Sequence, residues 1–313
     1  MAHIDGPVVV GVSGGGDSLA LLHLLVAAGH DCEAVTVDHR LRAGSDADGA
    51  FVAAICWKWG VPHTVLARPE GARWTSQASA RIGRYDALAC AADGRAVLVA
   101  HTLDDQAETV RMRAHRGGGT LGLSGIAPVA TLVGRTRLLR PLLRSGRAEL
   151  RDYLGAIAAT WIDDPANRDP RFERVRVRDR AGTQRLGRLA DAARGHRAAT
   201  MAHVAVDLRA NLHLSGNDLR YRPAIGGTLL VHAVRFCAAW VGRDAYLPSQ
   251  ARVAHFLAAE PAITVAGAVI RKRGDVLDFH PDPRRSMHGR ARPFERFRPL
   301  SDDPVHAVLS ALS

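Results

Sequence analysis

Lysine is almost missing from this sequence: only Lys58 and Lys272 contribute to its 42 basic residues, so the formal charge of +11 against 31 acidic residues is carried by arginine. Arginine's planar fork suits phosphate, which points to a polyanionic partner and says nothing about fold. Cysteine is scarce too. Cys32, Cys56, Cys90 and Cys237 are widely spaced and form no C-x-x-C pair. That excludes the usual spacings of zinc sites, iron–sulfur clusters and redox dithiols, and leaves buried structural thiols in a reducing compartment as the expectation. No apolar run reaches the roughly 20 residues a membrane span needs, and no basic stretch followed by an apolar one opens the chain. A soluble, cytoplasmic protein without membrane association is expected.

What is present can bury a core: 313 residues, 47% hydrophobic, have room for one large domain and a smaller one. Short apolar runs at Val8–Val12, Ala34–Val37, His63–Leu66 and Ala96–Ala100 read as buried strands. Helix-period stretches at Leu19–Ala28, Asp46–Trp59 and Gln77–Ala92 separate them. Strict alternation implies right-handed crossovers and a doubly wound parallel sheet, an α/β fold whose ligands sit at the carboxyl ends of strands. A further helix, a glycine-rich loop at Arg116–Gly125 and a helix opening near Ser145 continue this domain, taken as residues 1–185 with a basic, RNA-facing extension. Residues 186–212 read as a linker helix. Residues 213–285 read as a small, mostly helical C-terminal domain of α+β type with a hairpin at Val265–Arg271 and Val276–Phe279, and 286–313 as a flexible tail.

The first strand runs into Ser13-Gly14-Gly15-Gly16-Asp17-Ser18 and then into a helix. Consecutive glycines let backbone N–H groups turn toward one point, and the helix N-terminus adds unpaired donors and a positive dipole end. Phosphate is the natural occupant. Ser13 and Ser18 offer hydroxyls, and Asp17 beside phosphates makes sense chiefly if Mg²⁺ lies between them. The Walker lysine is absent, since Asp17 stands in its place, and Gly11, Gly14, Gly15 and Gly16 do not make the dinucleotide pattern. The other strand ends carry Asp38-His39 and His101-x-x-Asp104-Asp105-Gln106-x-Glu108. If a helix begins near Asp104, Asp105 and Glu108 share one face and can hold an ammonium or take its proton, with His101 as a third proton acceptor. The alternative is an ordinary acidic helix start in which Asp104 caps.

The segment S-G-G-x-D-S after a first strand resembles the PP-loop (N-type) ATP pyrophosphatases, of the adenine nucleotide alpha hydrolase-like fold. Five further stretches resemble the tRNA(Ile)-lysidine synthetase family: Asp38-His39-x-Leu41-Arg42, Ala80-Arg81-x-x-Arg84-Tyr85, His101 to Thr109, Arg140-Pro141-Leu142-Leu143, and Asp164-Pro165-x-Asn167-x-Asp169 on to Phe172 and Arg174. The glycines of Arg116-Gly117-x-Gly119-x-x-Gly122 match as well. The sequence departs from the family's pattern at Gln77, Thr102 and Val175.

This resemblance implies a ligase that uses ATP and Mg²⁺. ATP is cleaved between its α- and β-phosphates, the C2 oxygen of the wobble cytidine in tRNA(Ile) with a CAU anticodon is adenylated, and free L-lysine attacks to give lysidine, AMP and pyrophosphate. It implies that Ser13, Gly14, Gly15, Gly16, Asp17, Ser18, Asp38 and His39 surround the nucleotide, with Asp17 toward the metal. Asp105 and Glu108 would orient lysine, with His101 as a proton acceptor, and Arg81 would act near its carboxylate or the adenylate. Between Arg111 and Arg185 sixteen arginines stand against seven acidic residues. Of these, Arg116, Arg140, Arg147, Arg174, Arg176 and Arg178 are the expected tRNA contacts. Alternatives are a sulfur-inserting PP-loop tRNA enzyme, an amide-forming ligase of small molecules, and a non-catalytic ATP- or RNA-binding module. A homodimer is compatible with the sequence.

Overall fold

The computed structural model describes residues 6–38, 45–67, 77–116, 122–132, 136–163, 182–215, 218–242, 244, 247–284, 305 and 308–309. The chain divides into two compact units, residues 1–194 and 195–313.

In the first unit β1 (Val8–Gly11), α1 (Gly16–Ala27), β2 (Cys32–Asp38), α2 (Ser45–Trp59), β3 (His63–Ala67), α3 (Gln77–Ala92) and β4 (Ala96–Leu98) alternate as the apolar pattern predicts. They are followed by α4 (Leu103–His115), β5 (Val129–Thr131), β6 (Arg137–Leu139) and α5 (Arg147–Ala156). The sheet order is β3-β2-β1-β4-β6-β5. All neighbours are parallel except β5, which pairs antiparallel with β6 at the edge.

Val8, Val9 and Val10 are all fully buried because helices cover both faces. Val8 and Val10 pack with Leu19, Leu22, Leu150 and Leu154 of α1 and α5, while Val9 packs with Tyr85, Leu88 and Ala89 of α3. The alternation is the two-residue period of a strand, and each such side chain contributes on the order of 1.5–3 kcal/mol by leaving water. Strands buried on both sides show continuous apolar runs, which is why β1, β2 and β4 were visible in the sequence; β3, expected to be buried, is instead a largely exposed edge strand.

The topology then decides where chemistry can sit. From β1 the chain winds outward through β2 and β3, then returns to place β4 on the other side of β1. The direction of winding reverses between β1 and β4, and a crevice opens there beyond their carboxyl ends. The loop after β1 and the segment after β4 therefore face each other across this switch point.

The helix α6 (Thr183–Asn211) contains the boundary between units. In the second unit β7 (Leu212–Ser215), β8 (Asp218–Tyr221), α7 (Gly227–Val241), α8 (Gln250–Ala259), β9 (Ala262–Val265), β10 (Ala268–Arg273) and β11 (Val276–Pro281) build a five-stranded antiparallel sheet, ordered β7-β8-β11-β10-β9, with helices. The hairpin read from sequence is β10–β11, registered Ala268 to Pro281 through Arg273 to Val276. Three more strands extend it, two of them, β7 and β8, paired antiparallel with Leu212 opposite Tyr221 and Ser215 opposite Asp218. Among the described residues no helix is long and apolar enough to cross a membrane.

Candidate active site

The loop after β1 is held from within and from beside. Ser18 donates its hydroxyl to the Gly15 carbonyl (2.8 Å) and accepts from the Ser13 backbone N–H (3.2 Å). The hydroxyl expected to face phosphate is thus engaged in shaping the loop. Gly14 has φ +79°, and a Cβ there would come within 2.6 Å of Ile162 Cδ1, so position 14 excludes other residues on both counts. The Ile162 N–H donates to the Gly14 carbonyl (2.9 Å), which ties the chain after α5 to the loop. Gly15 caps α1 without a side-chain hydrogen bond, so no cap side chain competes for the first-turn N–H groups.

Across the switch point, α4 starts one residue before the expected Asp104. Its cap is Thr102, in a reciprocal capping box with Asp105. The Thr102 N–H donates to Asp105 Oδ2 (2.8 Å), and the Asp105 N–H donates to Thr102 Oγ1 (3.3 Å). A departure from the family's pattern, Thr102, is therefore the residue that starts this helix. Asp104 instead accepts the Arg147 N–H (2.8 Å), and the Ser145 carbonyl accepts the Leu103 N–H (2.9 Å), so the first turns of α4 and α5 interlock. Asp105 and Glu108 lie on one face of α4, as their spacing predicts, and both are buried.

Arg147 is where structure and expectation part. It was counted among the tRNA-facing arginines, yet its side chain is about 20% exposed and its guanidinium spans three carboxylates. Nε donates to Asp17 Oδ2 (3.0 Å), Nη1 to Glu108 Oε1 (3.1 Å) and Nη2 to Asp105 Oδ1 (2.5 Å). One cation thus joins the glycine loop to the acidic face of α4. Burial works against its charge, but Asp105, Glu108 and Asp17 raise its pKa further above the usual arginine range, so it stays protonated. Burial pushes the Asp17 carboxyl above its ordinary value, with Arg147 opposing. The local sequence held one hint. A cation at the first position of a helix opposes the dipole, and such a placement needs anions nearby.

The remaining expected residues divide by location. Arg81 on α3 lies 3.3 Å from His101 Nε2 through Nη2, and its guanidinium sits 5.1 Å from the Tyr85 ring centroid. Burial pushes the Tyr85 phenol up, yet Arg81, Arg140 and Arg84 together hold it below its ordinary value. Tyr85, absent from the expected site, therefore marks a strongly positive corner beside His101. Arg140, expected on the RNA face, is buried behind β6 and donates to the Ala127 carbonyl (2.7 Å); with 7% exposure it is not on the surface. Arg116 is exposed at the end of α4. Asp38 ends β2 at the same sheet edge as the loop. His39, Arg174, Arg176 and Arg178 lie outside the described residues, as does Val175.

Comparison with known proteins fits this geometry. Residues 5–185 match a family model described as a PP-loop domain. The tRNA(Ile)-lysidine synthase of Ruegeria pomeroyi is 35% identical over 300 residues, covering 86% of this chain and 70% of that protein. The chain belongs to the tRNA(Ile)-lysidine synthase family. The family's protein from Rhizobium meliloti is 37% identical over 297 residues, with 85% of this chain and 65% of its own length covered. That from Novosphingobium aromaticivorans is 45% identical over 181 residues, 56% of each. The chain thus spans less than two thirds of the length of these last two lysidine synthases. Among solved structures, a U34-tRNA thiolase from Methanococcus maripaludis shares the fold, with TM-score 0.50 and 18% identity over 62% of this chain and 73% of that one.

Proposed function

We propose that this chain joins free lysine to C2 of the wobble cytidine in tRNA(Ile) with a CAU anticodon, through an adenylated cytidine, releasing AMP and pyrophosphate. The observation that carries the reading is the convergence of Asp17, Asp105 and Glu108 on one cation at the switch point. A ligase for lysine needs a diphosphate cradle and an ammonium site within reach of each other, and the first turns of α1 and α4 would provide them.

The residues fit the groups they would hold. The uncapped first turn of α1 and the backbone of Gly14, Gly15 and Gly16 offer N–H donors to the outgoing diphosphate, with Ser13 and Ser18 holding the loop's shape. Asp17 is an oxygen donor suited to Mg²⁺. Among the described residues no three His, Cys, Asp or Glu side chains are placed to hold a metal ion together, so Asp17 would share that ion with phosphate oxygens and water. Asp38, the last residue of β2, and His39, next in sequence, would flank the nucleotide.

Lysine's ε-ammonium, with a pKa near 10.4 in water, must lose a proton before it attacks. Asp105 and Glu108 would hold and orient it, and His101 stands ready as acceptor. The positive corner of Arg81, Arg84 and Arg140 around Tyr85 would suit lysine's carboxylate or the adenylate phosphate. For the tRNA, exposed Arg116 and the stretch through Arg174, Arg176 and Arg178 would hold phosphates around an already unpaired anticodon base.

Sulfur transfer is not favoured by the placement of the cysteines. Cys32 opens β2, Cys56 lies near the end of α2 and Cys90 near the end of α3, all toward the amino edge of the sheet and away from the loop, and Cys237 lies in the second unit. The deciding experiment incubates the full chain with tRNA(Ile), ATP, Mg²⁺ and isotopically labelled lysine, followed by mass analysis of nucleosides and nucleotides. Labelled lysidine with AMP and pyrophosphate is expected; ADP as the nucleotide product, or unlabelled cytidine throughout, would refute the reading.

A further inference from the structure

We infer that Arg147 is a positioning residue, a tethered counter-ion that makes lysine binding depend on prior binding of Mg²⁺ and ATP. The inference rests on the ligase reading above. Asp105 and Glu108, with side chains only 11% and 3% exposed, both bond to Arg147, so the ammonium site assigned to lysine is already neutralised by the chain itself. Asp105 Oδ1 and Glu108 Oε1 already accept from the guanidinium, so lysine's amine competes with it for this acidic face.

What would release it is the third contact. Nε holds Asp17, the carboxylate of the diphosphate loop. With Mg²⁺ held on Asp17 that bond would weaken, and the guanidinium would find new partners of higher charge in phosphate oxygens at the first turn of α1. The arginine backbone does not have to follow. Its N–H is held by Asp104, and the neighbouring Gly146 N–H donates to Glu149 (2.8 Å), so a rotation of the side chain suffices. Once the guanidinium turns to phosphate, the buried Asp105 and Glu108 lose its charge. That state is costly, and an incoming ammonium relieves it. Nucleotide binding and amine binding are thereby coupled, and the coupling must be reciprocal.

The test titrates L-lysine calorimetrically into the full chain with Mg²⁺, with and without the α,β-methylene analogue of ATP. For the unmodified chain, lysine should bind on the order of tenfold tighter with the analogue, within the range usual for coupled sites. In Arg147→Gln, lysine binding without the analogue should tighten and the two titrations should agree within about twofold, because no internal cation competes. Arg147→Lys, which keeps the charge, should restore a dependence on the analogue. Equal lysine affinity in both titrations of the unmodified chain would overturn the inference without need of any variant. Full coupling retained in Arg147→Gln would do the same. Absence of lysine binding in every titration would instead remove the lysine reading on which the inference stands.

Discussion

Asp105 has two tasks on its two oxygens, and substitutions can separate them. Oδ2 accepts the Thr102 N–H, and Oδ1 faces Arg147. In Asp105→Ala the buried Thr102 N–H loses its acceptor, so a stability loss of about 1–3 kcal/mol is expected in denaturant unfolding. Asp105→Asn keeps an acceptor for that N–H and should melt close to the unmodified chain. Both variants should lose lysine incorporation by about a hundredfold or more, the usual worth of a positioned proton acceptor, while tRNA binding in a filter assay stays within about twofold of the original. An active Asp105→Asn would show that the carboxylate's charge is not needed.

Cysteine reactivity is a second test at this scale. Burial pushes the Cys56 thiol up to about 11 and also raises Cys32 and Cys237, whereas Cys90 is exposed. The thiolate is the reactive form, so alkylation of the folded chain near neutral pH should label Cys90 first. Peptide mapping by mass spectrometry reads the order, and early label on Cys56 would contradict its burial. The residue types of the site were legible from spacing alone, because the i, i+3 rule places Asp105 and Glu108 on one face whatever surrounds the helix. The fate of the arginines was not. Arg116 remained at the surface, whereas Arg140 and Arg147 turned inward, and composition cannot distinguish a solvated guanidinium from a buried one.

At the scale of elements, the loop between β1 and α1 has glycines with different tasks. Gly14 carries the positive φ and the close approach to Ile162, while Gly15 has φ −73° and a Cβ there would meet nothing nearer than 3.6 Å. Gly14→Ala should therefore cost roughly 1–2 kcal/mol from the left-handed backbone alone, and more from the clash, and should weaken nucleotide binding as the loop shifts. Gly15→Ala should leave stability within about 0.5 kcal/mol. Thermal melts of the two variants make the comparison, and equal losses would refute the assignment. The strands β1, β2 and β4 were readable because a sheet covered on both faces needs unbroken apolar runs, whereas β3, expected to be buried, lies at the sheet edge with Val65 48% exposed. The strands β5, β6, β7, β8 and β9 were not readable, since they are three or four residues long and, unlike β1 and β4, were not picked out by a buried five-residue apolar run such as Val8–Val12 or Ala96–Ala100. The acidic spacing points to a helix start near Asp104, whereas the cap is Thr102, which forms the reciprocal box with Asp105.

Across the molecule as a whole, stability should depend on pH through a residue far from the loop in sequence. His232 on α7 is buried, with 2% exposure, and its pKa falls to about 4 because of burial first, then Arg235, Arg197 and His196. Between the ordinary value of 6.5 and about 4 the unfolded chain takes up a proton that the fold refuses. The contribution is thus complete above 6.5 and is lost as pH falls through that window, by an amount on the order of 3 kcal/mol. Melts from pH 7 down to pH 4.5 should show this decline, and His232→Gln should be visibly less steep; parallel curves would exclude His232 as its source. Sequence by itself determined the α/β class, the glycine loop and the acidic pair, because strand period, backbone freedom and helical spacing are local properties of the chain. Tertiary structure alone decided that β4 returns beside β1, bringing loop and carboxylates face to face, and that Arg147 lies between them. Which of many equal guanidinium groups meets buried carboxylates depends on elements more than a hundred residues apart in the chain, Asp17 and Arg147 among them, and no local pattern carries that information.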